Sequence, residues 1–154
     1  MTEKTLQDAL RGDTDLYTER LLPHPREHVY GAFTDPVKLE RWWGPHGFTN
    51  RSKRCEPMPG GEWDVTLVGP DGSEHANLYR FIEMVEPAQV VVDHVSGHWF
   101  RLTVELHEAS GGTRVTWRQT FASREERDQV AAYCVPGNEG NLDRLGEELA
   151  RATG

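Results

Sequence analysis

Cysteine is scarce in this chain, and common catalytic motifs are missing. The 154-residue sequence contains two cysteines, Cys55 and Cys134, which are far apart and form no C-x-x-C pair. This number and spacing disfavour both a disulfide framework and a structural zinc site. The sequence also lacks the G-x-S-x-G, H-E-x-x-H and phosphate-loop motifs. It therefore offers none of these motif-level signs of a hydrolase, a metalloprotease or a nucleotide-binding enzyme.

Basic charge and long apolar runs are also lacking. Lysine and arginine total 17 against 25 acidic residues, which gives a formal net charge of -8. An acidic chain has little electrostatic attraction for nucleic acid phosphates or anionic lipid headgroups. No N-terminal apolar run is typical of a signal peptide, and no apolar stretch is long enough to span a membrane. We therefore expect a cytoplasmic protein with no nucleic acid partner and no membrane span.

The length and apolar content predict one folded domain. Hydrophobic residues make up 36% of the chain and include five Trp, five Phe and four Tyr. A chain of this length can bury one sizeable core. Residues 1–14 are polar with mixed charges, which predicts a flexible N-terminal arm. Residues 15–154 are expected to form the domain.

Alternating apolar and polar residues predict an antiparallel sheet. The alternation is clear at 62–68, 100–107 and 114–121, and tight-turn residues separate the strands. The stretch 75–84 is ambiguous, because Tyr79 and Phe81 share one parity while Ile82 and Met84 share the other. A β-bulge or a strong bend would reconcile them. One face of the sheet is apolar and needs a cover.

The C-terminal segment is predicted to supply that cover as a helix. Ser123 and Glu126 form a capping box at its start. Leu142, Leu145 and Leu149 then form an apolar stripe at helical spacing. Pro136-Gly137, between these features, predicts a break or a kink.

Two short helices are predicted between residues 25 and 49, together with a dense aromatic cluster. Asp35 can cap the second helix, and Pro36 suits its first position. Gly44-Pro45 ends that helix just after Trp42 and Trp43. Neighbouring helical residues point about 100° apart. One tryptophan is therefore expected in the core and the other towards a cleft or solvent.

Five segments of the chain resemble a known superfamily. They are VYGAFTDPVKLERWWGPHGFT (29–49), PGGEW (59–63), GPDG (69–72), IEMVEP (82–87) and NEGNLDRL (138–145). In this order they resemble the START-like (SRPBCC, helix-grip) superfamily, and within it the branch of activator of heat-shock protein 90 ATPase homologues. The resemblance implies an α+β fold. A curved antiparallel sheet of about six or seven strands would wrap around a long C-terminal helix, with two short helices after the first strand.

The resemblance also implies a cavity between the sheet and the C-terminal helix, where large apolar residues and a few polar groups are the usual make-up of a small-molecule site. Strand parity and the helix positions give the ligand-binding candidates Trp43, Phe48, Trp63, Val65, Leu67, Tyr79, His94, Phe100, Leu102, Trp117, Gln119, Tyr133 and Cys134. Tyr79 stands where relatives often have a small residue, so it alters the size or polarity of any cavity. If His94 and Tyr79 point inward, they are the polar groups expected to orient an apolar ligand.

Three functions compete at this level. The first is non-enzymatic binding of a small hydrophobic or amphipathic molecule. The second is a stress-response role as a co-chaperone-like partner of a heat-shock protein 90 type chaperone, as the family name suggests. The third is an enzyme of the cyclase or dehydratase type found elsewhere in the superfamily, although no acid/base pair is placed by the sequence. His94 and His98 are too few to hold a metal, and we expect neither a metal nor a cofactor.

Overall fold

The computed structural model describes residues 6–153, and its main feature is one antiparallel sheet with a long C-terminal helix. The elements in chain order are α1 (Leu6–Ala9), β1 (Leu10–Arg11), β2 (Asp15–Leu22), α2 (Arg26–Thr34), α3 (Pro36–Trp42), β3 (Thr49–Cys55), β4 (Glu62–Val68), β5 (Glu74–Val85), β6 (Gln89–His94), β7 (Phe100–Ala109), β8 (Gly112–Phe121) and α4 (Arg124–Thr153). The eight strands lie in the order β1-β2-β8-β7-β6-β5-β4-β3. This is the predicted helix-grip fold, with a slightly higher strand count than expected.

The extra strand comes from the N-terminal segment that the sequence predicted to be a flexible arm. Leu10 pairs with Leu16 and Arg11 with Asp15, so β1 extends the sheet beside β2. Ala9, at the end of α1, is buried against Phe121 and α4 residues. A strand of two residues is too short to show alternation, so this segment carries no strand signal. The first part of the predicted arm, residues 1–5, lies outside the described residues.

A register shift in β5 resolves the conflicting parities of that strand. Its pairing with β6 is interrupted between Phe81 and Glu83. Tyr79 and Phe81, before the shift, are buried in the main core, and Met84, after it, packs against the same core. The register shift lies where the sequence predicts a bulge or a strong bend.

The helices α2 and α3 form as the sequence predicted. The Asp35 carboxylate accepts a hydrogen bond from the Val37 amide at 2.9 Å, and Pro36 occupies the first turn of α3. Trp42 is 1% exposed, and its indole donates to the Ala32 carbonyl at 2.9 Å, which joins α3 to α2. Trp43 is the α3 C-cap and turns towards the sheet instead.

The helix α4 covers the apolar face of the sheet. Leu142, Leu145 and Leu149 are each at most 1% exposed, as the stripe predicted. The helix runs without interruption through Pro136, so of the two predicted alternatives, a break or a kink, the break is wrong. Among residues 6–153, no helix is long and apolar enough to cross a membrane.

Candidate functional site

A cavity of about 310 Å³ lies between the sheet, the middle of α4 and the loop that follows α3. Its walls are mainly aromatic and aliphatic side chains, with a few amides and histidines. The lining residues are Trp43, Gly44, Pro45, Phe48, Leu67, His75, Asn77, Tyr79, His94, His98, Phe100, Leu102, Trp117, Gln119, Phe121, Val130, Tyr133, Cys134, Gly137, Asn138 and Asn141. Tyr133 is 66% exposed and marks the rim, where the cavity meets solvent.

Most of the sequence-predicted cavity residues are brought together here. The eleven that line the cavity are Trp43, Phe48, Leu67, Tyr79, His94, Phe100, Leu102, Trp117, Gln119, Tyr133 and Cys134. Trp63 and Val65 are not part of the lining and lie in the main core, 1% and 0% exposed. The Trp63 indole donates to the Ser52 hydroxyl at 2.9 Å, which anchors it towards β3. Strand parity thus correctly predicted that these two side chains point into the interior, but they do not border the cavity.

Trp43 forms the inner end of the cavity within an aromatic cluster. Its ring centroid lies 5.0 Å from that of Trp63, 5.7 Å from Tyr79 and 5.8 Å from Trp117. Such edge-on and tilted contacts add stability beyond the area that the rings bury. The floor of the cavity is therefore a packed surface with little freedom to rearrange.

The loop after α3 is fixed to α4 by polar contacts. The guanidinium of Arg144 donates to the carbonyl oxygens of Trp43, Gly44 and Pro45 at 3.0–3.3 Å. The Gly44 amide donates to Oδ1 of Asn141 at 2.8 Å. Gly44 has a φ of +114°, which an L-residue rarely adopts, so this turn needs glycine. These contacts hold one wall of the cavity against the helix.

His94 presents its ring to the cavity, while both ring nitrogens face protein oxygens. Nδ1 lies 2.7 Å from the His98 carbonyl, and Nε2 lies 2.6 Å from Oδ1 of Asn77. The ring stacks on Phe100 with centroids 4.9 Å apart. Burial lowers the pKa of His94, and the single N–H of a neutral ring donates to only one of these two oxygens. The geometry therefore does not support the hypothesis that the His94 nitrogens orient a ligand.

A chain of hydrogen bonds links β8 of the sheet to α4 within the cavity wall. The Trp117 indole donates to Oδ1 of Asn138 at 3.1 Å, and Nδ2 of Asn138 donates to Oε1 of Gln119 at 2.8 Å. All three side chains are buried, with exposures of 2%, 8% and 6%. Gln119 was predicted from strand parity, whereas Asn138 was not predicted.

Tyr79 and Cys134 add two titratable groups, and both are neutral near pH 7. Burial raises the pKa of the Tyr79 phenol, and a hydrogen bond from Trp43 acts in the opposite direction. Burial also raises the pKa of the Cys134 thiol to about 11, against a hydrogen bond from Gln119. A thiol with this pKa is a weak nucleophile near neutral pH, because the thiolate is the reactive form.

Several lining residues were missed by the sequence analysis, and one signal could have found some of them. Asn138 lies four residues before Leu142 on the buried stripe of α4, and Asn141 lies four residues before Leu145. Extending the stripe one turn back from Leu142 and Leu145 would place both asparagines on the inward side of the helix. Asn77 and His98 gave no local signal, because their contacts with His94 depend on strand pairing and on the loop after β6.

A larger surface depression, of about 630 Å³, lies away from this cavity. It is bounded by residues 23–27, at the start of α2, and by residues 108–112, at the turn between β7 and β8. It opens widely to solvent and has no aromatic floor. Within residues 6–153, no group of three or more His, Cys, Asp or Glu residues could hold a metal ion.

Comparison with solved structures supports the fold. A protein from Nitrosomonas europaea has a TM-score of 0.84 and 22% identity, covering 93% of this chain and 98% of its own. A Rhodobacter sphaeroides protein has a TM-score of 0.81 and 26% identity, covering 91% and 94%. The AHSA1 protein from Silicibacter pomeroyi has a TM-score of 0.74 and 19% identity, covering 90% and 99%. None of the curated proteins is significantly similar in sequence.

Comparison with family models gives a direct assignment. The model described as activator of Hsp90 ATPase homolog 1-like protein matches residues 23–150. This range runs from the start of the loop before α2 to near the end of α4, so it includes every residue that lines the cavity. The chain belongs to the activator of Hsp90 ATPase homolog 1-like family, which has the START-like helix-grip fold.

Proposed function

We propose that this protein binds a small, largely apolar molecule in the cavity between the sheet and α4. The observation that carries the proposal is the cavity itself, with its volume of about 310 Å³. Protein interiors are close-packed and contain few voids larger than one water molecule. At about 30 Å³ per water, this space has room for about ten waters. It is therefore too large to be an ordinary packing defect.

The chemistry of the walls supports an apolar ligand. Trp43, Phe100, Leu102 and Trp117 are among the apolar lining residues, and the polar side chains are amides, histidines, two phenols and a thiol. Sites of about 300–1,000 Å³ with this composition are typical for small molecules. The ordered walls also favour binding, because a preformed site loses little conformational entropy when the ligand enters.

Nuclear magnetic resonance with 2-ethylnaphthalene as the probe tests this proposal. The indole N–H signals of Trp43 and Trp117 should shift in a saturable way, because both rings line the cavity. The indole of Trp99, which is not part of the lining, should not shift and serves as the internal control. Unchanged indole signals, or equal shifts for Trp99, would argue against binding in the cavity.

A chaperone interaction is the second candidate function, and the observation that favours it is the family match over residues 23–150. Its test is the ATPase rate of a heat-shock protein 90 chaperone measured with and without this protein. Stimulation that survives blocking of the cavity would support this function instead of ligand binding. The enzymatic alternative is tested by turnover that is lost on replacing one polar lining residue, such as Tyr79, by alanine.

A further inference from the structure

The side-chain amide of Gln119 has a fixed orientation in the cavity wall. An indole N–H can only donate, so the Asn138 atom that Trp117 contacts must be the oxygen. The nitrogen of Asn138 then faces Gln119 and must meet an acceptor, which makes that atom Oε1. The remaining atom of the Gln119 amide is the nitrogen Nε2. The donor-only indole thus settles which way both amides point.

The Nε2 group has unused donor capacity. It carries two protons, and Gln119 is 6% exposed and lines the cavity, so its partners other than protein atoms are molecules within the cavity. The Cys134 thiol is one neighbour, as the effect of Gln119 on the thiol pKa shows. Sulfur is a weak acceptor. No hydrogen bond joins Nε2 to an oxygen atom within residues 6–153. A ligand in the cavity that carries an oxygen acceptor would supply the partner that this donor lacks among the protein oxygens.

The charge of the lining limits the ligand further. Within residues 6–153, no Lys, Arg, Asp or Glu side chain lines the cavity. Three histidines line the cavity. His94 has a pKa lowered by burial, His98 has Glu126 as a neighbour at 3.8 Å, and Nε2 of His75 lies 3.1 Å from the Ser73 hydroxyl. A carboxylate or ammonium group would lose its hydration here without gaining a partner of opposite charge, which is strongly unfavourable.

From these two features we infer that the ligand is an uncharged, mainly apolar molecule whose hydrogen-bond acceptor, such as a ketone or amide oxygen, binds Nε2 of Gln119. The inference rests on the proposed function, since it assigns a chemical class to the ligand of the same cavity. Gln119 is then a specificity-determining residue. Trp117 and Asn138 are positioning residues, because they set the direction of the Gln119 amide.

Three naphthalene compounds separate this inference from simple apolar binding. They are 2-acetylnaphthalene, which carries a ketone, 2-ethylnaphthalene, which is a hydrocarbon, and 2-naphthoate, which is an anion at pH 8. Affinities are measured by calorimetry for the wild type and for Gln119→Met, which has a similar shape but no N–H group. Gln119→Glu keeps an acceptor for Asn138 and replaces the donor by an oxygen. Gln129→Met, at an exposed position on α4, is the matched control.

The ketone should bind about tenfold more weakly to Gln119→Met and Gln119→Glu than to the wild type. The hydrocarbon should bind all four proteins with similar affinity, which would also show that the variants keep an intact cavity. The naphthoate should bind the wild type at least about tenfold more weakly than the ketone.

Equal losses for ketone and hydrocarbon, or tighter binding of the naphthoate than of the ketone, would overturn the inference. In either case, wild-type binding of 2-ethylnaphthalene would leave the proposed function standing. Failure of all three compounds to bind the wild type would overturn both.

Discussion

The indole nitrogen of Trp117 on β8 donates a hydrogen bond to Oδ1 of Asn138 on α4, at 3.1 Å. Both side chains are at least nine-tenths buried. This contact joins the sheet to the helix at the cavity wall, and the same tryptophan ring lies 5.8 Å from Trp43 on the cavity floor. Trp117 therefore contributes to stability by packing and to the site by orienting Asn138.

Replacing Trp117 by alanine should strongly destabilise the fold. The ring is 2% exposed within the main core. Its loss should lower the free energy of unfolding by about 3–5 kcal/mol. Urea denaturation measures this, with Trp99→Ala as the control, because Trp99 is only partly buried and lies outside both core clusters. A denaturation midpoint for Trp117→Ala equal to that of the wild type would contradict the assigned packing.

Replacing Ser123 by alanine should weaken the start of α4 without changing ligand binding. The Ser123 hydroxyl accepts a hydrogen bond from the Glu126 amide at 3.1 Å, as the capping box predicted. Loss of such a cap costs about 1 kcal/mol. Ser110→Ala, at an exposed turn position, is the control for chemical denaturation. If the two variants have the same midpoint, the cap has no measurable role.

Replacing Glu148 by glutamine should destabilise the protein in a pH-dependent way. The Glu148 carboxylate is 2% exposed and accepts hydrogen bonds from Arg41 on α3 at 2.9 and 2.6 Å. The bound Arg41 guanidinium holds the pKa of Glu148 below its usual value. Because the pKa of this carboxyl group is lower in the folded state, its ionisation stabilises the fold at pH values above the unfolded-state pKa of about 4.3. This stabilisation is lost as the pH falls through the folded-state pKa.

Urea denaturation of the wild type and Glu148→Gln at several pH values measures this effect. The difference should be about 1.5–3 kcal/mol at pH 7 and should shrink once the pH falls below about 4. Glu147→Gln is the control, because Glu147 is the exposed neighbour on the same helix. A difference that does not change with pH would mean that the Glu148 charge is not the source of the stability.

The sequence predicted the interior better than it predicted the cavity. Strand alternation correctly placed Trp63, Val65 and Trp117 inside, because each position depends only on local parity. Whether an inward residue meets another side chain or open space depends on long-range packing. Trp63 is enclosed by neighbours while Trp117 borders the cavity, and no local pattern distinguishes the two.

The polar side of the site was harder to predict for the same reason. The contacts of His94 come from β5 and from the loop after β6, so they depend on strand register and loop path. The role of Asn138 depends on its contacts with Trp117 and Gln119 on β8, which only the packing of α4 against the sheet creates. Gln119 was found by parity, but its role depends on Asn138.

Gly137 offers the most direct way to block the cavity. It lies on α4 in the cavity lining, and a Cβ atom added there meets nothing within 4 Å. A leucine side chain at this position should occupy cavity space without a backbone clash. Leucine also favours a helix over glycine by about 0.5–1 kcal/mol, so the variant should be at least as stable as the wild type.

Calorimetric titration of 2-ethylnaphthalene into the wild type, Gly137→Leu and Ala132→Leu tests the central claim, that the cavity is a ligand site. Ala132 is exposed on the same helix and outside the lining, so Ala132→Leu controls for the added side chain. The account predicts one-to-one binding to the wild type and Ala132→Leu, and loss of binding in a folded Gly137→Leu protein. No binding to the wild type, or equal affinity for all three proteins, would contradict it.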